Sequence, residues 1–115
     1  MLSVDYRLAP EHVFPAALDD AYAATRWVAL HAAELHCDAQ QLLVAGDSAG
    51  GNLAIATCLR AKEDGWKGIA QQLLLYPVCD AHMDAPSHAL YGQMPFLTTE
   101  AMAAMWRHYH PAMPA

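Results

Sequence analysis

The sequence predicts an α/β fold, with a parallel sheet of about three strands, crossover helices on its faces and one more helix near the C-terminal end. Three observations carry that expectation. Short segments at 2–6 (LSVDY), 41–45 (QLLVA) and 69–78, the last centred on Leu73, Leu74, Leu75 and Tyr76, are too short for helices and read as strands. QLLVA lacks polar alternation, as expected of a strand buried on both faces of a parallel sheet. Between these segments lie longer stretches with helical character, and strand–helix–strand alternation implies crossover connections with helices covering the sheet.

Each element has a local reason. The segment 2–6 breaks at Leu8-Ala9-Pro10, because proline cannot donate to a ladder and restricts the residue before it. From about Pro15, Leu18, Tyr22, Thr25, Val28, Ala32 and Leu35 recur at steps of three or four, which predicts a helix with one buried stripe. Asp19 and Asp20 fall in its first turn, where the helix dipole favours anions. A second helix is expected from Ala49 to about Glu63, stopped by Gly65 in a left-handed conformation. Pro77 and the turn-forming run after Asp80 close the third strand, and 81–97 reads as loop. A last helix is expected to start with Thr98 or Thr99 as N-cap and run to about Tyr109, with Met102, Met105, Trp106 and Tyr109 on one face and Pro111 as its stop.

The 115 residues are 56% hydrophobic and 16% charged, without a low-complexity tract or internal repeat, which predicts one small domain over 1–115. A net charge of −6 and the absence of a Lys/Arg cluster argue against nucleic acid and anionic membrane as partners. The opening residues lack a signal-peptide pattern and no segment is long and apolar enough to span a bilayer, so a soluble cytoplasmic protein is the expectation. Cys37, Cys58 and Cys79, odd in number and without a CxxC spacing, are expected to be reduced and mostly buried.

The chemistry concentrates in GDSAGG, residues 46–51. In a tight strand-to-helix turn, a nucleophile at Ser48 forces the residues two positions away close together, and a Cβ at Gly46 or Gly50 is expected to clash. Ser48 would then hold a strained conformation with its Oγ exposed above the sheet. The helix starting at Ala49 would aim its N-terminal N–H groups at the same place, so that Ala49 N–H is the natural oxyanion-hole donor. The same string also suits a glycine-rich turn that merely lets helix and strand pack closely.

The longer strings VDYRLAPEHVFPAALDDAYAATRWV and GDSAGGNLA, followed by LLLYPVCD and GQMPFLTTEAMAAMWRHY, closely resemble the hormone-sensitive-lipase-like branch of the α/β-hydrolases, a set of carboxylesterases and lipases. The resemblance spans essentially the whole chain and implies a partial α/β-hydrolase fold, with a core at 1–80 and a lid-like helical segment at 81–115. It implies Ser48 as nucleophile, Ala49 as an oxyanion donor, and Gly46, Asp47, Gly50 and Gly51 as the elbow around them. Asp5, Arg7, Pro10 and Glu11 match a family string with a structural role. The small-molecule substrate would be a carboxylic ester, with short to medium acyl groups favoured and no cofactor or metal required.

Two family features have no counterpart here. The His-Gly-Gly-Gly type stretch that completes the oxyanion hole and the downstream acid and histidine of the triad are not found in the sequence, which reads as the central part of a hydrolase. Asp80, at the end of the third strand, is the best internal acid. His82, His88, His108 and His110 follow in the required order, although no strand remains to deliver a histidine loop beside Ser48. His12, His31 and His36 precede the serine and read as loop or helix-surface groups. Asp84, His82 and His88 match no strong metal-ligand spacing. Met94, Phe96 and Met105 either line an acyl pocket or serve as core. The expected function is therefore serine-type ester hydrolysis, weak or absent in the isolated chain, with a non-catalytic ligand-binding or truncated remnant as the alternative. The glycine-bearing strand that in the family lies between LSVDY and QLLVA is absent, so exposed sheet edges and self-association through them are further expectations.

Overall fold

The computed structural model describes residues 1–113. The expected carboxy-terminal end of the helical segment, Pro114 and Ala115, lies outside the described residues. The chain forms α1 (Ala16–Leu30), a 3-10 turn (Ala39–Gln41), β1 (Leu43–Asp47), α2 (Ala49–Glu63), β2 (Gln71–Leu75), α3 (Pro86–Tyr91) and α4 (Thr99–Tyr109). β1 and β2 pair in parallel, with Leu43 opposite Gln71 and Asp47 opposite Leu75, and α2 is the crossover between them.

The α/β class is as expected, but the sheet has two strands rather than about three. Residues 2–6 form no ladder. A strand exists only through its neighbour, and among the described residues no segment offers 2–6 the backbone groups to pair with. Side chains fasten this segment instead. The Arg7 main-chain N–H and guanidinium donate to the Asp20 carboxylate at 2.8–2.9 Å, which ties the segment to α1 just beyond its first turn, where Asp19 but not Asp20 falls, and supports the structural reading of Arg7. The guanidinium holds the Asp20 carboxyl at about 2, below its ordinary 3.8.

α1 and α2 pack together through a polar and aromatic seam. Tyr22 is buried and its hydroxyl donates to Asp64 Oδ2 at 2.6 Å. The Arg60 guanidinium lies 4.9 Å from the centre of the Tyr22 ring and pairs with Asp19, while Arg26 lies over Trp66 at 4.7 Å. The small core consists of Ala17, Tyr22, Ala32, Leu53, Ala54, Thr57 and Ala61, so every one of its side chains belongs to α1, α2 or the turn between them.

The strands are not buried on both faces as their composition predicts. Leu43, Leu73 and Leu75 are about half exposed, because α2 packs on both strands and no other helix lies extensively against them. The exposed surface of 8327 Å² exceeds the roughly 6,200 Å² expected of a compact monomer of this mass. The shape agrees, with extents of 48 × 25 × 24 Å and a radius of gyration of 15.9 Å, against roughly 13 Å for a compact chain of this length. Within the segment read as loop, 86–91 is a short helix with Pro86 at its first position, where the missing N–H costs nothing. α4 begins as expected, with Thr98 Oγ1 accepting from Ala101 N–H.

Candidate active site

β1 ends at Asp47 and α2 begins at Ala49, leaving Ser48 alone to turn the chain. It does so at φ 50°, ψ −117°, a conformation that costs a non-glycine residue on the order of 1–3 kcal/mol. Serine is a preferred N-cap because its oxygen accepts from the next turn's N–H groups, but Ser48 makes no such bond. Its hydroxyl is therefore held at the mouth of a helix without being used by it. Ala49 is exposed at the same mouth, and its N–H has no acceptor among the described residues.

The glycines divide by position. A Cβ on Gly46 would overlap the carbonyl group of Gly50 and approach Gly51 N to 2.7 Å, so the expected steric reason holds there. A Cβ on Gly50 would meet nothing within 4 Å, so the clash expected at that position does not occur. The crowded partner is Gly51, whose Cβ would stand 2.8 Å from Pro77 Cβ and 3.0 Å from Pro77 Cα. The turn is compressed between strand end and helix start at Gly46, and between helix start and the post-β2 segment at Gly51.

Main-chain bonds carry the elbow across to β2. Ser48 N–H donates to Leu75 O at 3.0 Å, and Val78 N–H donates to Ser48 O at 3.2 Å. Asn52 N–H also donates to Ser48 O, at 3.1 Å, and Asn52 Nδ2 donates to Val78 O at 2.8 Å. Tyr76, between the two crossing points, is itself at φ 37° and 75% exposed. Asn52 and the bent segment 76–78 belong to this site but carry no sequence signal beyond an amide side chain one residue after a glycine pair.

The other expected site residues are placed elsewhere. Asp80 accepts from His82 Nδ1 at 2.7 Å and from His82 N–H at 3.0 Å, with both side chains exposed. The hydrogen bond and the carboxylate charge raise the His82 pKa, and the same bonds lower that of Asp80. This pair makes no hydrogen bond to Ser48, and among the described residues no histidine or carboxylate does. His31 stacks on Trp27 at 4.4 Å, His110 stacks on Phe14 at 5.2 Å, and His12, His36 and His108 are exposed. His88 is half-buried in a small hollow with Ser87, Tyr91, Leu97, Thr99 and Met102. Among the described residues no group of His, Cys, Asp and Glu is gathered for a metal ion, so Asp84, His82 and His88 do not converge. Cys37 and Cys79 are exposed and only Cys58 is half-buried, contrary to the expectation of mostly buried thiols; burial pushes the Cys58 thiol up. Met94, Phe96 and Met105 are all more than half exposed, so they neither form core nor enclose a pocket among the described residues. A 440 Å³ hollow lined by Cys58, Ala61, Trp66, Ile69 and Gln72 lies at the opposite end of the sheet from Ser48.

The sequence profile of the alpha/beta hydrolase fold family matches residues 1–115. The chain is 48% identical over 109 residues to Esterase LipI of Mycobacterium tuberculosis, covering 95% of this chain and 34% of that protein. It is 40% identical over 111 residues to an Ethyl acetate hydrolase of Pseudomonas putida, covering 95% of this chain and 35% of that protein. Its structure superposes on esterase LipW from Mycobacterium marinum with a TM-score of 0.90 at 42% identity, covering 98% of this chain and 36% of that one. The chain thus spans about a third of the length of these relatives. No helix among the described residues is long and apolar enough to cross a membrane. With the profile matched from end to end and a strand–serine–helix turn at its centre, the chain belongs to the α/β-hydrolase fold family.

Proposed function

We propose that Ser48 is the nucleophile of a carboxylic ester hydrolase, with Ala49 N–H as an oxyanion donor and Gly46, Asp47, Gly50 and Gly51 forming its elbow. The observation that carries this reading is a serine at φ 50° that stands at a helix N-terminus and does not cap it. Strain and a forgone cap are both unfavourable for folding, and a hydroxyl kept free beside unpaired N–H groups is what acyl transfer uses. The esterase names of the relatives support the same reaction, and the strings around Arg7 and Ser48 support placement in the hormone-sensitive-lipase-like branch.

In the proposed reaction Ser48 Oγ bonds to the ester carbonyl carbon, and the carbonyl oxygen takes the negative charge toward Ala49 N–H. The alkoxide leaves as alcohol with the serine proton, and water then cleaves the acyl-serine to release acid. Removal of the serine proton has no resident base among the described residues, since neither the Asp80–His82 pair nor any other histidine is bonded to Ser48. Turnover by this chain alone is therefore slow, at the level that an oxyanion site and binding supply without the rest of a triad, on the order of 10³–10⁴ over water.

The test is covalent labelling by a small alkyl fluorophosphonate with imidazole supplied as external base, since no histidine or carboxylate is bonded to Ser48 among the described residues, followed by intact mass and peptide mapping. The expected result is one adduct on Ser48 that disappears in Ser48→Ala. Absence of an adduct on folded wild-type protein, or equal labelling of both proteins, overturns the reading.

A further inference from the structure

Ser48 O and Ala49 N–H belong to one peptide group, so whatever grips the carbonyl also orients and polarises the N–H at its other end. Two donors grip it, Asn52 N–H at 3.1 Å and Val78 N–H at 3.2 Å. The second comes from outside the helix, on a segment that has already left β2, and the Asn52 side chain closes the ring by donating to Val78 O at 2.8 Å. The three bonds form a closed clasp, Ser48 O to Val78 N–H, Val78 O to Asn52 Nδ2, and Asn52 N–H back to Ser48 O.

We propose that Asn52 is a positioning residue for the oxyanion donor: its side-chain amide holds Val78 against Ser48 O, which fixes the plane of the Ser48–Ala49 peptide and strengthens Ala49 N–H as a hydrogen-bond donor. This rests on the reading of Ser48 and Ala49 given under Proposed function. The physical basis is twofold. An N–H that must meet developing charge is effective only if its direction is set beforehand. Hydrogen bonds in a chain polarise one another, so donors on a carbonyl make the N–H of the same peptide more acidic. The helix alone would supply one donor to Ser48 O; the clasp supplies the second. Among the described residues no side chain bonds directly to the main chain of 46–51, and the side-chain bond that enters the clasp is the one from Asn52 Nδ2 to Val78 O.

The experiment compares wild type, Asn52→Ala, Asn52→Asp and Ala61→Gly, the last a destabilising control buried in α2 away from the elbow. Each is followed by thermal melting, by the rate of fluorophosphonate labelling well below the melting temperature, and by the Ala49 amide proton shift in NMR. Asn52→Ala is expected to slow labelling about five- to tenfold and move the Ala49 amide proton upfield, short of the roughly hundredfold loss from deleting an oxyanion donor outright. Asn52→Asp keeps shape but turns an acceptor toward Val78 O. A carboxylate in a first helical turn is favoured by the dipole, so melting is expected to change little while labelling falls at least as far as in Asn52→Ala. Ala61→Gly is expected to lower melting and leave the labelling rate unchanged. Labelling of the Asn52 variants at the wild-type rate, or an unmoved Ala49 amide, overturns the inference. If wild type itself is not labelled, it is the nucleophile reading that fails, and the Ala49 amide shift still decides whether the clasp polarises this peptide.

Discussion

Residues 16–78 and residues 81–113 are built by different rules. In the first region every element has a partner distant in sequence: α1 packs on α2, α2 on both strands, and Ser48 is bonded across to Leu75 and Val78. In the second, neither α3 nor α4 buries a single residue. α4 is fastened at its C-terminal end, where Tyr109 O accepts from Phe14 N–H at 2.7 Å and the Phe14 ring meets Tyr109 edge-on and stacks on His110. The Met and aromatic face of α4 therefore shows amphipathic patterning without a matching surface, with Met105 59% exposed. Periodicity specifies which face of a helix is to be covered; it does not supply the cover.

The largest expected effects come from the crowded side of the elbow. Gly46→Ala places a methyl group on the Gly50 carbonyl with no side chain able to give way, and is expected to cost more than about 3 kcal/mol and abolish cooperative unfolding. Gly51→Ala meets Pro77 and is expected to cost about 1–3 kcal/mol. Gly50→Ala, in open space within the first turn of α2, is expected to stabilise by about 0.5–1 kcal/mol. Denaturant melts of the three variants measure this, and a destabilised Gly50→Ala would break the division drawn between the glycines.

Next in size is the tether of α4. Phe14→Ala is expected to remove protection from amides of 99–109 in native-state hydrogen exchange, while slow exchange in β1 and α2 persists and global stability falls by about 1 kcal/mol or less. Equal loss of protection in both regions would show that they unfold as one unit. A similar magnitude with opposite sign is expected inside α2. Thr57 is 2% exposed and its Oγ1 has no partner among the described residues, so Thr57→Val removes an unsatisfied hydroxyl and is expected to stabilise by about 1 kcal/mol, a rise in melting temperature of about 4 °C.

What the sequence made legible follows the same boundary. α2 was legible at both ends because its limits are set by local chemistry, the Ser48 turn and Gly65 at φ 69°. α4's start was legible from Thr98 for the same reason. β1 and β2 were legible as strands but not in their exposure, since burial depends on what covers a sheet. LSVDY has the composition of a strand but lacks the neighbour that would make it one. The elbow is legible through Gly46 and Ser48, whereas the second crowded glycine is Gly51 and not Gly50, because Pro77 approaches from 26 positions further along the chain. Asn52 was silent because its partner, Val78, is likewise brought near only by the fold.

The smallest effects, in acid and near neutrality, separate the regions once more. Asp20 titrates at about 2 in the folded state against an ordinary 3.8, so its pairing with Arg7 favours folding fully above about pH 4 and is lost as pH falls toward 2. His82 has its pKa raised by the Asp80 contact, so a contact made only in the folded state would favour folding below about pH 6.5 and lose that effect as pH rises through the folded value. The two pairs differ in what the unfolded chain retains. Arg7 and Asp20 are thirteen residues apart and meet only through the fold, whereas Asp80 and His82 are two residues apart and can pair in the unfolded chain as well. Stability measured from pH 5 to pH 2 is therefore expected to fall less steeply in Asp20→Asn than in wild type. From pH 6 to pH 8 it is expected to be the same in Asp80→Asn as in wild type, although the NMR titration of His82 shifts to lower pH. A matching loss of global stability in Asp80→Asn would mean that the 80–82 turn is folded cooperatively with the elbow, and would move the boundary between the two regions from residue 80 into the C-terminal segment.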